Sequence, residues 1–432
     1  MEKNNQLYVN YLKILHEELM PAMGCTEPIA VAYGAARARE LLGRMPEAVL
    51  VEASGNIIKN VKSVVVPNTG GLKGIEASAA AGIVAGKAER VLEVIADVTE
   101  EQKPDILKYM ETHPISVVPA EGDVVFDIIL TLTAGNEHVR LRITDYHTNI
   151  VYIEKNGVVL LQSGNVEEAG KAEGLTDRSC MSVEDILDFV NTMDVDDVRE
   201  MVARQVSYNY AIAEEGMQNN WGANIGKVLL RTYGQDVRIR ARAMAAAASD
   251  ARMSGCEMPV VIVSGSGNQG ITASVPVVVY ARELGVDEDT MLRAVTLSDL
   301  LTIHMKTGIG RLSAFCGAVS AGCAAGAAIA YLQGGGFSEI AHTLVNGLAT
   351  ISGMICDGAK PSCAAKIAAS VDAGILGYEM FRDGQEFRGG EGIVTKGVEN
   401  TIVNVGHLGK YGMRETDREI LRIMTGTNRR TE

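Results

Sequence analysis

The sequence predicts an α+β protein in which N-terminal helices and an α/β lobe precede a large, Ala/Gly-rich, all-helical domain. Two changes of texture carry that reading. From about residue 47 to 165, runs that alternate or are β-branched are interleaved with helical patterns. After Ser182 the pattern is almost wholly helical to the C-terminus. A third observation is the abundance of small residues: 46 glycines and long alanine runs with few aromatics imply helices that approach one another closely.

Residues 1–45 read as two helices, Gln6 to Leu19 and Pro28 to Leu42, with Gly43 as a C-cap and Cys25 in the turn between them. Residues 46–181 form the α+β lobe. Its strand candidates are 48–53, 61–66, 124–132, 139–144 and 150–154, and its helices 74–88 and 101–111. A polar stretch near 165–182 is the expected hinge. Residues 182–432 read as the helical domain, with small-residue helices expected at 240–253, 270–284, 313–332, 338–355 and 361–376. The stretch Leu312 to Ser338 is long enough to span a bilayer, but its Ala, Gly, Ser and Cys are weakly apolar, so a buried helix is expected instead.

A net charge of −14 and a pI near 5.1 exclude the basic footprint that nucleic acid requires, and favour a small-molecule substrate. The mean hydropathy of +0.09 is that of a soluble protein, with no membrane partner expected. Seven cysteines, an odd number, follow an N-terminus without an apolar export core, which predicts a reducing, cytoplasmic setting and no disulfide framework. Self-association is left open.

The cysteines carry the chemistry. Cys316 lies in Leu312-Ser-Ala-Phe-Cys316-Gly; Cys356 and Cys363 lie in Gly353-Met-Ile-Cys356-Asp-Gly-Ala-Lys-Pro-Ser-Cys363. Cys often serves as a compact hydrophobe in such helices. Here Asp357-Gly358 and Pro361 break the helix between two of them, making a loop able to turn both sulfurs toward one point. The spacing does not suit a zinc knuckle, whereas iron–sulfur clusters accept dispersed thiolates, and three ligands leave one iron of four open. Cys25, next to a helix-opening Pro28, is expected at a helix N-terminus with a lowered pKa.

Ser264-Gly-Ser-Gly-Asn-Gln-Gly270 matches a dinucleotide fingerprint on paper, but its flanks read as helical and Pro276 interrupts the segment C-terminal to it. As a Gly-rich turn feeding a helix it is instead an anion cradle, suited to a substrate carboxylate held by Gly265, Ser266, Gly267, Asn268, Gln269 and Gly270. Asn68-Thr69-Gly-Gly71 is a second turn of this kind, and His147 and His304 are the histidines of interest. No hydrolase elbow, zinc-peptidase or phosphate-loop motif occurs.

Seven strings in order resemble the L-cysteine desulfidase family, relatives of the iron–sulfur L-serine dehydratase α chain. They are Gly24-Cys-Thr-Glu-Pro-Ile29, Val66-Pro-Asn-Thr-Gly-Gly71, His147-Thr-Asn-Ile150, Ser249-Asp-Ala-Arg-Met253, Ser264 to Thr272, Arg311 to Cys316 and Ser352 to Ala359. The resemblance implies a [4Fe-4S] lyase, independent of pyridoxal phosphate, that converts L-cysteine to pyruvate, ammonia and sulfide. Its oxygen-labile cluster would be lost or degraded in air. It implies Cys316, Cys356 and Cys363 as cluster ligands, Cys25 as catalytic base, and Asn68, Thr69 and His147 beside the Gly265–Gly270 turn as substrate-binding residues. The serine dehydratases space their last two ligands more widely, so Cys25 as a ligand with Cys363 as a bystander stands as the alternative. Dehydration of L-serine or another β-substituted amino acid, and a non-catalytic cluster-binding sensor, are the alternative functions.

Overall fold

A computed structural model describes residues 1–122, 124–163 and 175–426. Of the hinge expected at 165–182, residues 165–174 lie outside the described residues. The α+β expectation holds: a mixed sheet lies N-terminal to a large helical assembly.

The first helix, α1 (Gln6–Glu18), is capped by Asn5, whose side chain accepts from Leu7 N. After the short β1 (Pro21–Met23), α2 (Thr26–Leu42) ends on Gly43, left-handed at φ 81°. The lobe continues with β2 (Ala48–Ala53), α3 (Gly55–Val61), α4 (Gly74–Ala85), α5 (Lys103–Thr112) and β3 (Ile115–Pro119). It closes with β4 (Asp127–Ala134), β5 (Glu137–Thr144), β6 (Ile150–Lys155) and β7 (Val158–Gln162). These make a six-stranded sheet of order β3-β2-β4-β5-β6-β7, parallel only between β2 and β3. Alternation sets its faces: Val139, Leu141 and Ile143 point inward under α2, while Arg140 and Arg142 point out, Arg140 to Glu52 at 3.0 Å.

The strand expected at 61–66 is not formed. Val61 ends α3, and beyond it only Val65 makes an isolated bridge, to Lys73. Val64 and Val66 are buried, so their β-branched character serves packing and not a ladder. The strands β3 and β7 were not legible. In β7 every residue is exposed, so no alternation marks it.

The helical part comprises α6 (Val183–Thr192), α7 (Arg199–Gln218), α8 (Ile225–Tyr233), α9 (Val237–Met253), α10 (Gly267–Leu284) and α11 (Glu288–Ile309). It ends with α12 (Gly317–Leu332), α13 (Phe337–Ile351), α14 (Cys363–Arg382), α15 (Val398–His407) and α16 (Arg414–Thr425). Ser182, Asp236 and Asp287 cap α6, α9 and α11 through side chains that accept first-turn N–H groups. Pro276 does not interrupt α10, which runs on through it; burial of nearly the whole helix outweighs the roughly 3 kcal/mol that an interior proline costs. A short β8 (Pro259–Val261) pairs antiparallel with β1 and ties the two parts together.

The small residues act where α12 crosses α14. A Cβ on Gly374 would lie 2.1 Å from the Gly322 carbonyl oxygen, so these backbones meet at a distance only glycine permits. Cys323 is buried in this layer as an inert hydrophobe. Helix α1 joins the helical core through Tyr8 and Tyr11 on Phe189, whereas α2 joins the core under the sheet. Among the described residues no helix is long and apolar enough to cross a membrane; α12 is buried instead.

One buried polar pair has a pH consequence. Asp299 of α11 accepts from Gln205 Nε2 of α7 at 2.9 Å, and Asp299 Oδ2 and Gln205 Oε1 have no partner among the described residues. Burial pushes the Asp299 carboxyl up to about 8 from an ordinary 3.8, and a proton on Oδ2 supplies the donor the pair lacks. The native state therefore binds an extra proton between those values. The stability it confers is full below about 3.8 and is lost as pH rises through about 8. Asp299→Asn carries a donor at every pH. Urea unfolding of the protein should show it matching the wild type at about pH 4 and exceeding it by on the order of 5 kcal/mol at pH values above 8.

Candidate active site

Two segments far apart in sequence are zipped together to start the site. Phe315 and Ile355 form an antiparallel bridge; Cys316 N donates to Met354 O at 3.0 Å and Cys356 N to Ala314 O at 2.6 Å. This sets Cys316 and Cys356 on one short ribbon. Cys316 is then the N-cap of α12, and Cys363 opens α14 after the loop that Asp357, Gly358 and Pro361 create. Lys366 braces that loop by donating to Ile355 O at 2.8 Å and to the Asp357 carboxylate.

Cys25 arrives from the other side as the N-cap of α2. Gly24 before it is left-handed at φ 67° and packs so closely on Pro67 that a Cβ would lie 2.7 Å from that ring. Thr26 Oγ1 donates to Gly265 O at 2.8 Å, and Arg252 Nη2 to Gly24 O at 2.6 Å, fastening the Cys25 turn to the start of α10. One cavity is lined by Cys25, Cys316, Cys356 and Cys363 together with His147, Gly265, Ser266, Asn268 and Gln269.

The other expected residues lie elsewhere. Gly267 and Gly270 sit inside the first turn of α10, packed on Arg252 and on the Val261 carbonyl of β8. Asn68 and Thr69 are outside the cavity lining. Thr69 Oγ1 donates to Val66 O at 2.7 Å within the turn, and Asn68 Nδ2 ties the turn to Ile95 O at 2.8 Å, so both side chains fix the turn that supports Pro67 behind Gly24. His304 pairs with Glu399 at 2.7 Å, also away from the lining.

Among the lining residues not singled out from sequence are Glu27, Asn60, Arg252, Lys306 and Arg311. Glu27 and Arg252 stand inside strings already noted, and Lys306 was legible as a lone cation in an apolar run. Asn60 carries no sequence signal. Cys25 Sγ donates to Glu27 Oε2 at 3.1 Å, and Asn60 Nδ2 holds Glu27 Oε1 at 3.1 Å. The expected low Cys25 pKa is thus overturned. Burial, then the neighbouring Glu27 carboxylate, push the thiol well above its ordinary value, with Arg252 opposing weakly.

Burial acts on the rest of the site as well. It pushes Cys316 up to about 12, aided by Cys356, and raises Cys363. It pushes His147 down to about 4, leaving a neutral ring whose Nε2 has no partner among the described residues. Lys306, 4% exposed, is lowered to about 8 by burial against the pull of Cys356 and Cys316, and donates to the carbonyls of Gly310 and Arg311.

Soft thiol donors of this kind suit an iron–sulfur cluster chemically. Three thiols from α12, its neighbouring ribbon and α14 share the cavity and none is in a disulfide. Among the described residues no three His, Cys, Asp or Glu groups are placed to hold a metal ion.

The family model for the serine dehydratase alpha chain matches residues 89–422. The chain belongs to that family. The match includes Cys316, Cys356 and Cys363 and begins after Cys25. Relatives extend over the whole length: a UPF0597 protein of Desulfitobacterium hafniense is 60% identical over 424 residues, 98% of each chain. Those of Treponema denticola and Lachnoclostridium phytofermentans are 46% and 48% identical, over 98% and 97% of this chain and 99% and 100% of their own. Membership in the serine dehydratase alpha chain family suggests a lyase.

The Cys25–Glu27 contact gives a direct test. If the carboxylate holds the thiol proton in place, Glu27→Gln should speed alkylation of Cys25 by iodoacetamide near pH 8 by about tenfold for each unit its pKa falls. Peptide mass spectrometry of the apo-protein reads this, and an unchanged rate would dismiss the electrostatic role of Glu27.

Proposed function

We propose that this serine dehydratase-like chain is a [4Fe-4S]-dependent L-cysteine desulfidase, producing pyruvate, ammonia and sulfide by α,β-elimination. The observation that carries the reading is the division of labour among four thiols in one cavity: three beside Lys306 and Lys366, and a fourth, packed in the same small apolar cluster as Cys363, hydrogen-bonded to Glu27. Cys316, Cys356 and Cys363 would hold the cluster. When bound, it would supply a Lewis-acidic iron that neutralises the group leaving Cβ.

The chain's own residues do the remainder. The α10 turn at Gly265 and Ser266 holds the substrate beside Cys25. The Cys25 proton passes to Glu27 Oε2, and the sulfur then takes the Cα proton. A thiol with a raised pKa is a stronger base once ionised, which suits so weak a carbon acid. The Cα–H electron pair becomes the Cα=Cβ bond and the Cβ–S pair departs with sulfur, which takes up a proton equivalent to that left on Glu27. The aminoacrylate product tautomerises and hydrolyses to pyruvate and ammonia. Burial keeps His147 neutral, so it adds a hydrogen bond without adding charge.

L-Serine is the second substrate reading, favoured by the description of the matching family. Anaerobic reconstitution with iron and sulfide, followed by pyruvate assay on cysteine, serine and threonine, separates the two. A cluster-loaded protein that releases pyruvate from no amino acid would instead support the sensor alternative.

Two sets of variants test the roles. Cys316→Ser, Cys356→Ser and Cys363→Ser should each lower bound iron, since a harder oxygen replaces a soft thiolate; full iron in Cys363→Ser would remove that residue from the ligand set. Cys25→Ser should keep iron and visible absorbance yet lose about 10²–10⁴-fold in turnover together with exchange of the Cα hydrogen. Joint loss of iron and turnover would make Cys25 a ligand.

A further inference from the structure

Arg252 is a guanidinium of the cavity with no ion-pair partner among the described residues. It extends from the last turn of α9, is 3% exposed, and no carboxylate of the described residues lies within ion-pair distance of it. The other cations nearby are balanced. Arg311 meets Glu18 at 3.0 Å and Lys59 meets Asp417 at 2.5 Å, while Lys306, which can lose its proton, donates to the carbonyls of Gly310 and Arg311. A guanidinium does not shed its proton when buried, so it keeps its charge, and the carboxylate in the cavity lining, Glu27, is engaged by Cys25, Thr26 and Asn60 and not by Arg252.

Of its five N–H donors two are in use, Nη2 to Gly24 O at 2.6 Å and Nη1 to Asn268 Oδ1 at 3.1 Å, and Nε has no partner among the described residues. A Cβ on Gly267 would lie 2.4 Å from Nε, which places the guanidinium against the first turn of α10. The N–H groups of that turn have no intrahelical acceptor. The His147 ring borders Gly265, and its buried Nε2 is also unpartnered. Donors from three elements thus surround one end of the cavity, the end where Cys25 stands.

We propose that Arg252, with the N-terminal turn of α10 and His147, binds the α-carboxylate of the substrate and makes a free carboxylate the condition for entry. The proposal rests on the amino-acid lyase reading above. With the carboxylate at this end, Cα lies at the Cys25 side and the β-substituent extends toward Cys316, Cys356 and Cys363. The substrate class is accordingly free α-amino acids with a β leaving group. Cysteamine, cysteinamide and cysteine within a peptide chain are excluded.

Binding to the full-length apo-protein tests this without turnover. Calorimetry with L-cysteine, L-cysteinamide and cysteamine under anaerobic reducing conditions should show the wild type favouring the acid by at least about tenfold, as a charge-assisted contact requires. Arg252→Gln should abolish that preference. Arg252→Lys, which retains a charge but not the planar fork, should fold where the glutamine variant does not and should reduce the preference severalfold. Equal binding of acid and amide by the wild type, or an undiminished preference in the folded variants, would overturn the proposal. Failure of the lyase reading shows separately: a reconstituted enzyme inactive on every amino acid, with the apo-protein's acid preference intact, leaves Arg252 as a carboxylate anchor and removes the elimination chemistry.

Discussion

Everything at the site depends on four helix N-termini meeting at one cavity. Cys25 caps α2, Ser266 caps α10, Cys316 caps α12 and Cys363 opens α14. Each such end carries about half a positive charge and N–H groups without intrahelical acceptors. Arg252 and Lys306 add to this. A chain with a net charge of −14 therefore encloses a locally cationic pocket, a setting for thiolates and carboxylates. The convergence is possible because the helices carrying these ends touch through small residues, as Gly374 on Gly322 shows.

Burial opposes what the helix ends favour, and burial wins. A helix N-terminus stabilises an anion by about 0.3–1 kcal/mol, less than one pKa unit, whereas desolvation of a buried group shifts its pKa by up to about 3–5 units. Cys25, Cys316 and Cys363 accordingly sit above their ordinary values despite their positions. Cys316 and Cys363, with Cys356, would lose their protons to a metal, which ligates only thiolate. Cys25 has Glu27 instead, an acceptor already in contact. The same local feature, a cysteine at a helix start, thus supports two kinds of chemistry according to what faces it.

The ring of contacts around the cavity also explains why residues with no chemistry of their own recur in it. Pro67 backs Gly24, Thr26 is tied to Gly265, and Lys366 pins the loop between Cys356 and Cys363. Asn68 and Thr69 belong to this supporting layer, holding the turn that presents Pro67. A sequence motif preserves a shape as readily as a reagent, and composition alone does not tell which.

The sequence by itself determined the α+β order, most of the helices, the buried character of α12 and the cysteine-bearing segments, because periodicity, caps and helix breakers are properties of neighbouring residues. It misled at 61–66, where β-branched residues pack in a core, and at Pro276, where a buried helix absorbs a local breaker. It also misled on Cys25, since a helix start is visible in sequence while burial and a facing carboxylate are not. Glu27 as the thiol's partner, Asn60 behind it and the unpaired charge of Arg252 were decided only by tertiary structure. Those properties depend on which groups are brought within about 3 Å and shielded from water, and both result from long-range packing.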